Sequence, residues 1–193
     1  MRSICVFCGS SSGNDLAYED AARSLGETLA ESGITLVYGG GHVGLMGVVA
    51  NAALASGGEA VGVIPHSLVE REIAHNGLTD LHVVGSMHER KAMMSELSEG
   101  FIALPGGTGT MEEFFEVLTW AQLGEHGKPC GLLNVAEYYD PLLAVFDHMV
   151  ANGFLSEANR SIVIVETEPI TMLGRFEKYR PPQLPKWIDK SET

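Results

Sequence analysis

The chain has 193 residues, of which 45% are hydrophobic and 19% charged, a balance that suits one domain with a substantial core. It carries 12 Lys and Arg against 25 Asp and Glu, a formal net charge of −13. That charge argues against nonspecific binding to nucleic acid or an anionic membrane, yet leaves room for a local cationic pocket holding a small anion. The opening MRSICVFCGSSSGND turns polar after one short apolar run. No stretch approaches the length of a membrane span, so a cytoplasmic protein is expected.

In chain order, Ile4–Phe7 reads as a buried strand leading into CGSSSGND. Cys5 and Cys8 within it form a CxxC, but no second Cys/His cluster completes a metal site, so reduced buried thiols are expected. Ala17–Ser32 has helical spacing with Gly33 as its stop, and Thr35–Tyr38 is a second strand running into GGGHVGLMG. A helix rich in small residues spans Leu45–Ala55, and Ala60–Ile64 is a third strand stopped by Pro65. Residues 66–80 read as a short helix plus loop. Leu81–Val84 reads as a strand, His88–Ser98 as a helix, and Phe101–Leu104 as a strand ending in PGGTGT. Met111–Leu123 is an apolar helix, Cys130–Asn134 a strand, and Tyr139–Asn152 a helix. Ser161–Val165 is the last strand, and Thr171–Arg175 a helical turn. The expected fold is α/β: one Rossmann-like doubly wound parallel sheet with helices on both faces, over residues 1–180, with a polar tail at 181–193.

In such a sheet, ligands bind beyond the carboxyl ends of the strands. Three loops there should open on one edge: CGSSSG, GGGHVGLMG and PGGTGTMEE. The last is the sharpest signal. Gly106, Gly107 and Gly109 allow close backbone approach and positive φ where needed, Thr108 and Thr110 add hydroxyls, and a helix starting near Met111 presents unpaired N–H groups. Together they make a phosphate cradle. It lacks the lysine of a Walker A loop, and GGGHVG lacks the acidic residue expected about 20 residues on in a dinucleotide fingerprint. The glycines of GGGHVG are equally compatible with tight turns alone.

Two charged clusters flank this cradle. Glu112 and Glu113 fall in the expected first helical turn, where they either compensate the helix dipole or face a ribose or a developing cation. Only one of the two can face the site squarely, because adjacent helix residues point about 100° apart. In SMHERKAMM, His88, Arg90 and Lys91 stand near a helix start, where cations are disfavoured. That placement is either a solvated basic face or one arranged for phosphate or base recognition. Helix Met111–Leu123 is apolar around nearly its whole circumference, so it lies mid-fold or packs on a second subunit. The small-residue helix Leu45–Ala55 could support the same homodimer interface.

From CVFCGSSSG through YGGGHVGLMG, VIPHSLVEREI, MHERK and LPGGTGTMEEFFEVLTWAQLGEHGKPCGLLN, the chain resembles the LONELY GUY (LOG) family. These are cytokinin riboside 5′-monophosphate phosphoribohydrolases, often mislabelled lysine decarboxylases. MHERK together with PGGTGTMEE makes the likeness specific, and it loosens past about Asp140. The resemblance implies a Rossmann-type homodimer that hydrolyses the N-glycosidic bond of a nucleoside 5′-monophosphate. Free base and ribose 5-phosphate would be released without a metal or organic cofactor. By motif, Arg90 and Glu113 match the catalytic pair. Glu72 in VEREI, Lys91, Gly107, Thr108, Gly109, Thr110, Met111, Glu112 and Thr119 match substrate-contacting positions, and Gly106 completes the cradle. Many members carry PGGYGT where this chain has Thr108, which bears on base or prenyl preference rather than on the cradle.

Cleavage of such a bond generates an oxocarbenium-like sugar that a nearby carboxylate stabilises. Glu113 suits that task, with Arg90 on the anionic or base portion of the substrate. One rival reading is a nucleotide-binding module without catalysis, which leaves Glu113 without a task. The other is pyridoxal-phosphate-dependent lysine decarboxylation, which needs a Schiff-base lysine, and Lys91 is the only candidate near the site.

Overall fold

A computed structural model of the chain describes residues 1–69 and 74–182. The seven strands among the described residues are β1 (Ser3–Phe7), β2 (Thr35–Tyr38), β3 (Ala60–Pro65), β4 (Asp80–Val84), β5 (Phe101–Ala103), β6 (Cys130–Leu133) and β7 (Val163–Glu166). They form one sheet in the order β4-β3-β2-β1-β5-β6-β7, and every neighbouring pair is parallel. The order reverses at β1, which lies between β2 and β5, so the loops after β1 and β5 flank the point where such sheets bind ligands. The expected doubly wound architecture is the one observed.

Side-chain alternation along β1 divides the core in two. Ile4 and Val6 face one side with α1 (Leu16–Glu31), α2 (Gly44–Ala55) and α8 (Pro169–Lys178). Cys5 and Phe7 face the other with α4 (Met87–Glu96), α5 (Thr108–Leu123) and α6 (Asp140–Ala151). Short helices α3 (His66–Val69) and α7 (Glu157–Arg160) fill connections. α2 is consumed by packing on α1, with Leu45, Met46, Val49, Ala50, Ala52 and Ala53 buried. It therefore lies on the opposite face from α5, and the two helices do not share one surface as expected.

Two boundaries differ from the sequence reading in ways that matter. α5 starts at Thr108 rather than Met111, so Thr108, Gly109 and Thr110 are its first turn, and that turn contains no acidic residue. Glu112 and Glu113 fall in the second turn, and dipole compensation does not account for them. The expected turn at Thr171–Arg175 is the middle of the full helix α8, whose first turn holds Pro169. The cysteines are as expected: Cys5, Cys8 and Cys130 are buried and free. Burial pushes all three thiols well up, Cys130 to about 12, so they stand protonated and unreactive.

Candidate active site

All three glycine-bearing loops open on the carboxyl edge of the sheet, as parallel strands require. In GGGHVG, Gly40 and Gly44 adopt φ of +75° and +58°, which L side chains rarely do. A β-carbon on Gly39 would collide with the Arg90 guanidinium. These glycines shape a turn and make room for Arg90. The glycines of PGGTGT act differently, since none of them has positive φ. At Gly107 and Gly109 an added β-carbon would meet nothing within 4 Å: the space above them is open, and they are exposed. Gly107 is the N-cap of α5 and provides no side-chain cap, so the first-turn N–H groups face outward with the positive end of the helix dipole.

Beside this loop lies a cleft of about 280 Å³ lined by the Gly9–Gly13 loop, Tyr18, Leu45, Pro105, Gly106, Gly107 and Tyr138. Thr110 is buried against the loop, with its hydroxyl at the position a β-carbon on Gly106 would need. Thr108 is exposed at the helix start, and Met111 is half-buried against the α4–α6 side of the core.

Arg90 is only 5% exposed. Its Nε donates to the Val63 carbonyl (3.1 Å) and its Nη2 to the Gly39 carbonyl (3.3 Å), so the ends of β3 and β2 fix the guanidinium. Its Nη1 lies 3.8 Å from Glu113 Oε1, and both side chains are largely shielded from solvent. The pair lies where little solvent reaches it, whereas the Glu112 side chain is more than half exposed. Glu113 is thus the member of the acidic pair that turns inward.

Glu112 turns to Lys91 instead. Lys91 Nζ contacts Glu112 Oε1 at 2.5 Å and Glu116 Oε1 at 3.0 Å. Burial pulls the Lys91 pKa down, but these two carboxylates outweigh it and leave the group above its usual value. A Schiff-base lysine needs the opposite perturbation, and the Lys91 ammonium is engaged in bridging α4 to two carboxylates of α5. Glu116 escaped the sequence reading, although its i+4 spacing from Glu112 places both on one face of α5. Thr119 is on that face too, exposed, with its hydroxyl donating to the Phe115 carbonyl of its own helix (2.7 Å). The structure therefore brings Arg90, Lys91, Glu112 and Glu113 together and leaves Thr119 further along the helix. Glu72 lies outside the described residues.

The family model described as "Possible lysine decarboxylase" matches residues 46–176. A curated cytokinin riboside 5′-monophosphate phosphoribohydrolase of Rhodococcoides fascians is 58% identical over 165 residues, covering 85% of this chain and 83% of that protein. The rice protein of the same name, LOG, is 49% identical over 180 residues, covering 93% of this chain and 74% of its own. Among solved structures, the molybdenum cofactor binding protein of Rippkaea orientalis superposes with a TM-score of 0.69. It is 22% identical, covering 92% of this chain and 96% of that one. That likeness concerns the fold alone. With the family model spanning most of the chain and relatives near half identity over most of its length, the chain belongs to the LONELY GUY (LOG) family, the one described as possible lysine decarboxylases.

Proposed function

We propose that the protein hydrolyses the N-glycosidic bond of adenosine 5′-monophosphate or its N6-prenylated form, releasing the free base and ribose 5-phosphate. The observation that carries this reading is Glu113, on the helix whose N-terminus is open, shielded beside Arg90 of α4. The relatives' name, cytokinin riboside 5′-monophosphate phosphoribohydrolase, supports the reaction and the substrate class.

The substrate phosphate sits at the first turn of α5, where Gly107 and Gly109 admit it and the N–H groups of Thr108, Gly109 and Thr110 receive it. As the bond from the anomeric carbon to the base nitrogen breaks, the sugar acquires oxocarbenium character. The Glu113 carboxylate stabilises that charge and orients the water that attacks the anomeric carbon. The water's oxygen bonds to that carbon, and the proton balance closes on the departing base. Arg90 spends Nε and Nη2 on backbone carbonyls, so its position is set before substrate arrives. Its remaining N–H groups hold Glu113 and meet the negative charge that develops on the base.

The active unit in this reading is a homodimer. Phe115 is covered by Phe146 of α6 at 5.6 Å between ring centroids. Leu123 of α5 and Met87 of α4 remain exposed at 51% and 40%, and Met111 and Trp120 are half-buried. A second copy on the α4–α5 face covers them and closes the site. Light scattering on the pure protein should give twice the chain mass; a monomer at micromolar concentration overturns the dimer.

The deciding experiment is chromatographic. Metal-free protein is incubated with adenosine 5′-monophosphate and with its N6-isopentenyl form, and free base and ribose 5-phosphate are followed. Wild type should release base. Glu113→Ala and Arg90→Ala should each lose on the order of 10² or more in kcat while the fold is kept. Binding without base release by wild type would leave a nucleotide-binding protein. Near-wild-type turnover in either variant would remove that residue from the chemistry.

A further inference from the structure

The loop that receives the phosphate is held in shape by a segment from the far side of the cleft. After β6 the chain turns sharply through Val135–Glu137, with Ala136 and Glu137 both at positive φ, 48° and 60°. Neither is glycine, so the turn is sterically unfavourable and persists because its surroundings determine it. Asn134 supplies one constraint: its Oδ1 accepts the Tyr139 N–H (2.7 Å), and its Nδ2 donates to Asp140 (2.8 Å).

The turn aims two consecutive tyrosines at the chain after β5. The Tyr139 hydroxyl donates to the Leu104 carbonyl at 2.6 Å, and the Tyr138 hydroxyl donates to the Gly106 carbonyl at 2.5 Å. Their surroundings differ. Tyr139 is 1% exposed and belongs to the core, whereas Tyr138 is 39% exposed and lines the cleft beside Gly106 and Gly107. Its ring meets Tyr18 edge-on, with centroids 5.7 Å apart.

The Gly106 carbonyl and the Gly107 N–H belong to one peptide unit. A hydrogen bond accepted by that carbonyl fixes the plane of the unit and strengthens its N–H as a donor. We propose that Tyr138 is a positioning residue for the phosphate-binding loop, holding the Gly106–Gly107 peptide with its N–H aimed at the substrate phosphate. This rests on the phosphate placement given above. Tyr138 takes no part in breaking the glycosidic bond, so its contribution appears in binding.

Tyr138→Phe removes the hydroxyl and keeps the ring against Tyr18. The expected result is a rise in KM of about three- to tenfold, the size of one uncharged hydrogen bond, with kcat changed by less than about twofold. The dissociation constant for ribose 5-phosphate, read by calorimetry, should rise by the same factor. Tyr139→Phe should lower the melting temperature and leave that constant where it was. The proposal is overturned if Tyr138→Phe binds ribose 5-phosphate as wild type does. It is also overturned if wild type does not bind ribose 5-phosphate, or if Tyr139→Phe reproduces the binding loss. Calorimetry needs no turnover. Weakened binding by Tyr138→Phe in a protein that releases no base would therefore sustain the role of Tyr138 while rejecting the hydrolase.

Discussion

The starts of α4 and α5 solve the same physical problem in opposite ways. Every helix begins with N–H groups that lack partners within the helix. At α4 a side chain meets one of them: Ser86 Oγ accepts the Glu89 N–H at 3.2 Å, while the Glu89 carboxylate reaches back to accept the N–H of Gly85, just before the cap, at 2.8 Å. At α5 the N-cap is Gly107, with no side-chain cap and no acid in the first turn. Beyond these starts, charged residues of the two helices pair across the gap, Arg90 with Glu113 and Lys91 with Glu112 and Glu116. The comparison teaches that a helix closed by its own side chains serves as a mount, whereas one left open reserves its N–H groups for an anion from outside.

Closing the open end should separate stability from binding. Gly107→Asp places a capping carboxylate where an added β-carbon has free space. A better cap and a favourable dipole interaction should stabilise the fold by a few tenths to about 1 kcal/mol, raising the melting temperature by about 1–4 °C. The same carboxylate takes the N–H groups and repels the phosphate. Affinity for ribose 5-phosphate should therefore fall by at least about tenfold. A calorimetric titration beside a thermal melt reads both signs. Unchanged binding in a stabilised variant would mean that the phosphate is held elsewhere and that the open helix end has another cause.

That opposition also explains what could be read in advance. The strand–helix alternation and the all-parallel sheet follow from local patterns, and β2 matches its expected span residue for residue. The first turn of α5 was invisible because Thr108-Gly109-Thr110 has poor intrinsic helix propensity. Those residues are helical because the PGG loop and the α4–α6 side of the core hold the helix, so tertiary packing overrides the local preference. The arrangement of Glu112 and Glu113 was half legible. Their angular separation followed from helix geometry, but which one turns inward depends on Arg90 and Lys91, more than 20 residues away in the chain. The ion pairs of Lys91 and the bond from Tyr138 to Gly106 are likewise long-range, and no local period announces them. For Tyr138 the available signal was an aromatic residue just past the carboxyl end of a strand, on the edge where the ligand was already expected.

The closed end supplies the converse and smaller test. Ser86→Ala removes the side-chain acceptor for the Glu89 N–H while leaving the Glu89–Gly85 bond in place. Loss of an N-cap hydroxyl typically costs about 1 kcal/mol, a fall of about 2–4 °C in the melting temperature for a chain of this size. Catalysis should barely register the change. Arg90 is anchored by the Val63 and Gly39 carbonyls and faces Glu113, and none of these contacts passes through Ser86. Turnover measured at a temperature well below the melt should stay within about twofold of wild type. A loss of tenfold or more at full folding would show that the cap sets the rotation of α4, and with it the aim of Arg90, so that the mount itself belongs to the catalytic apparatus.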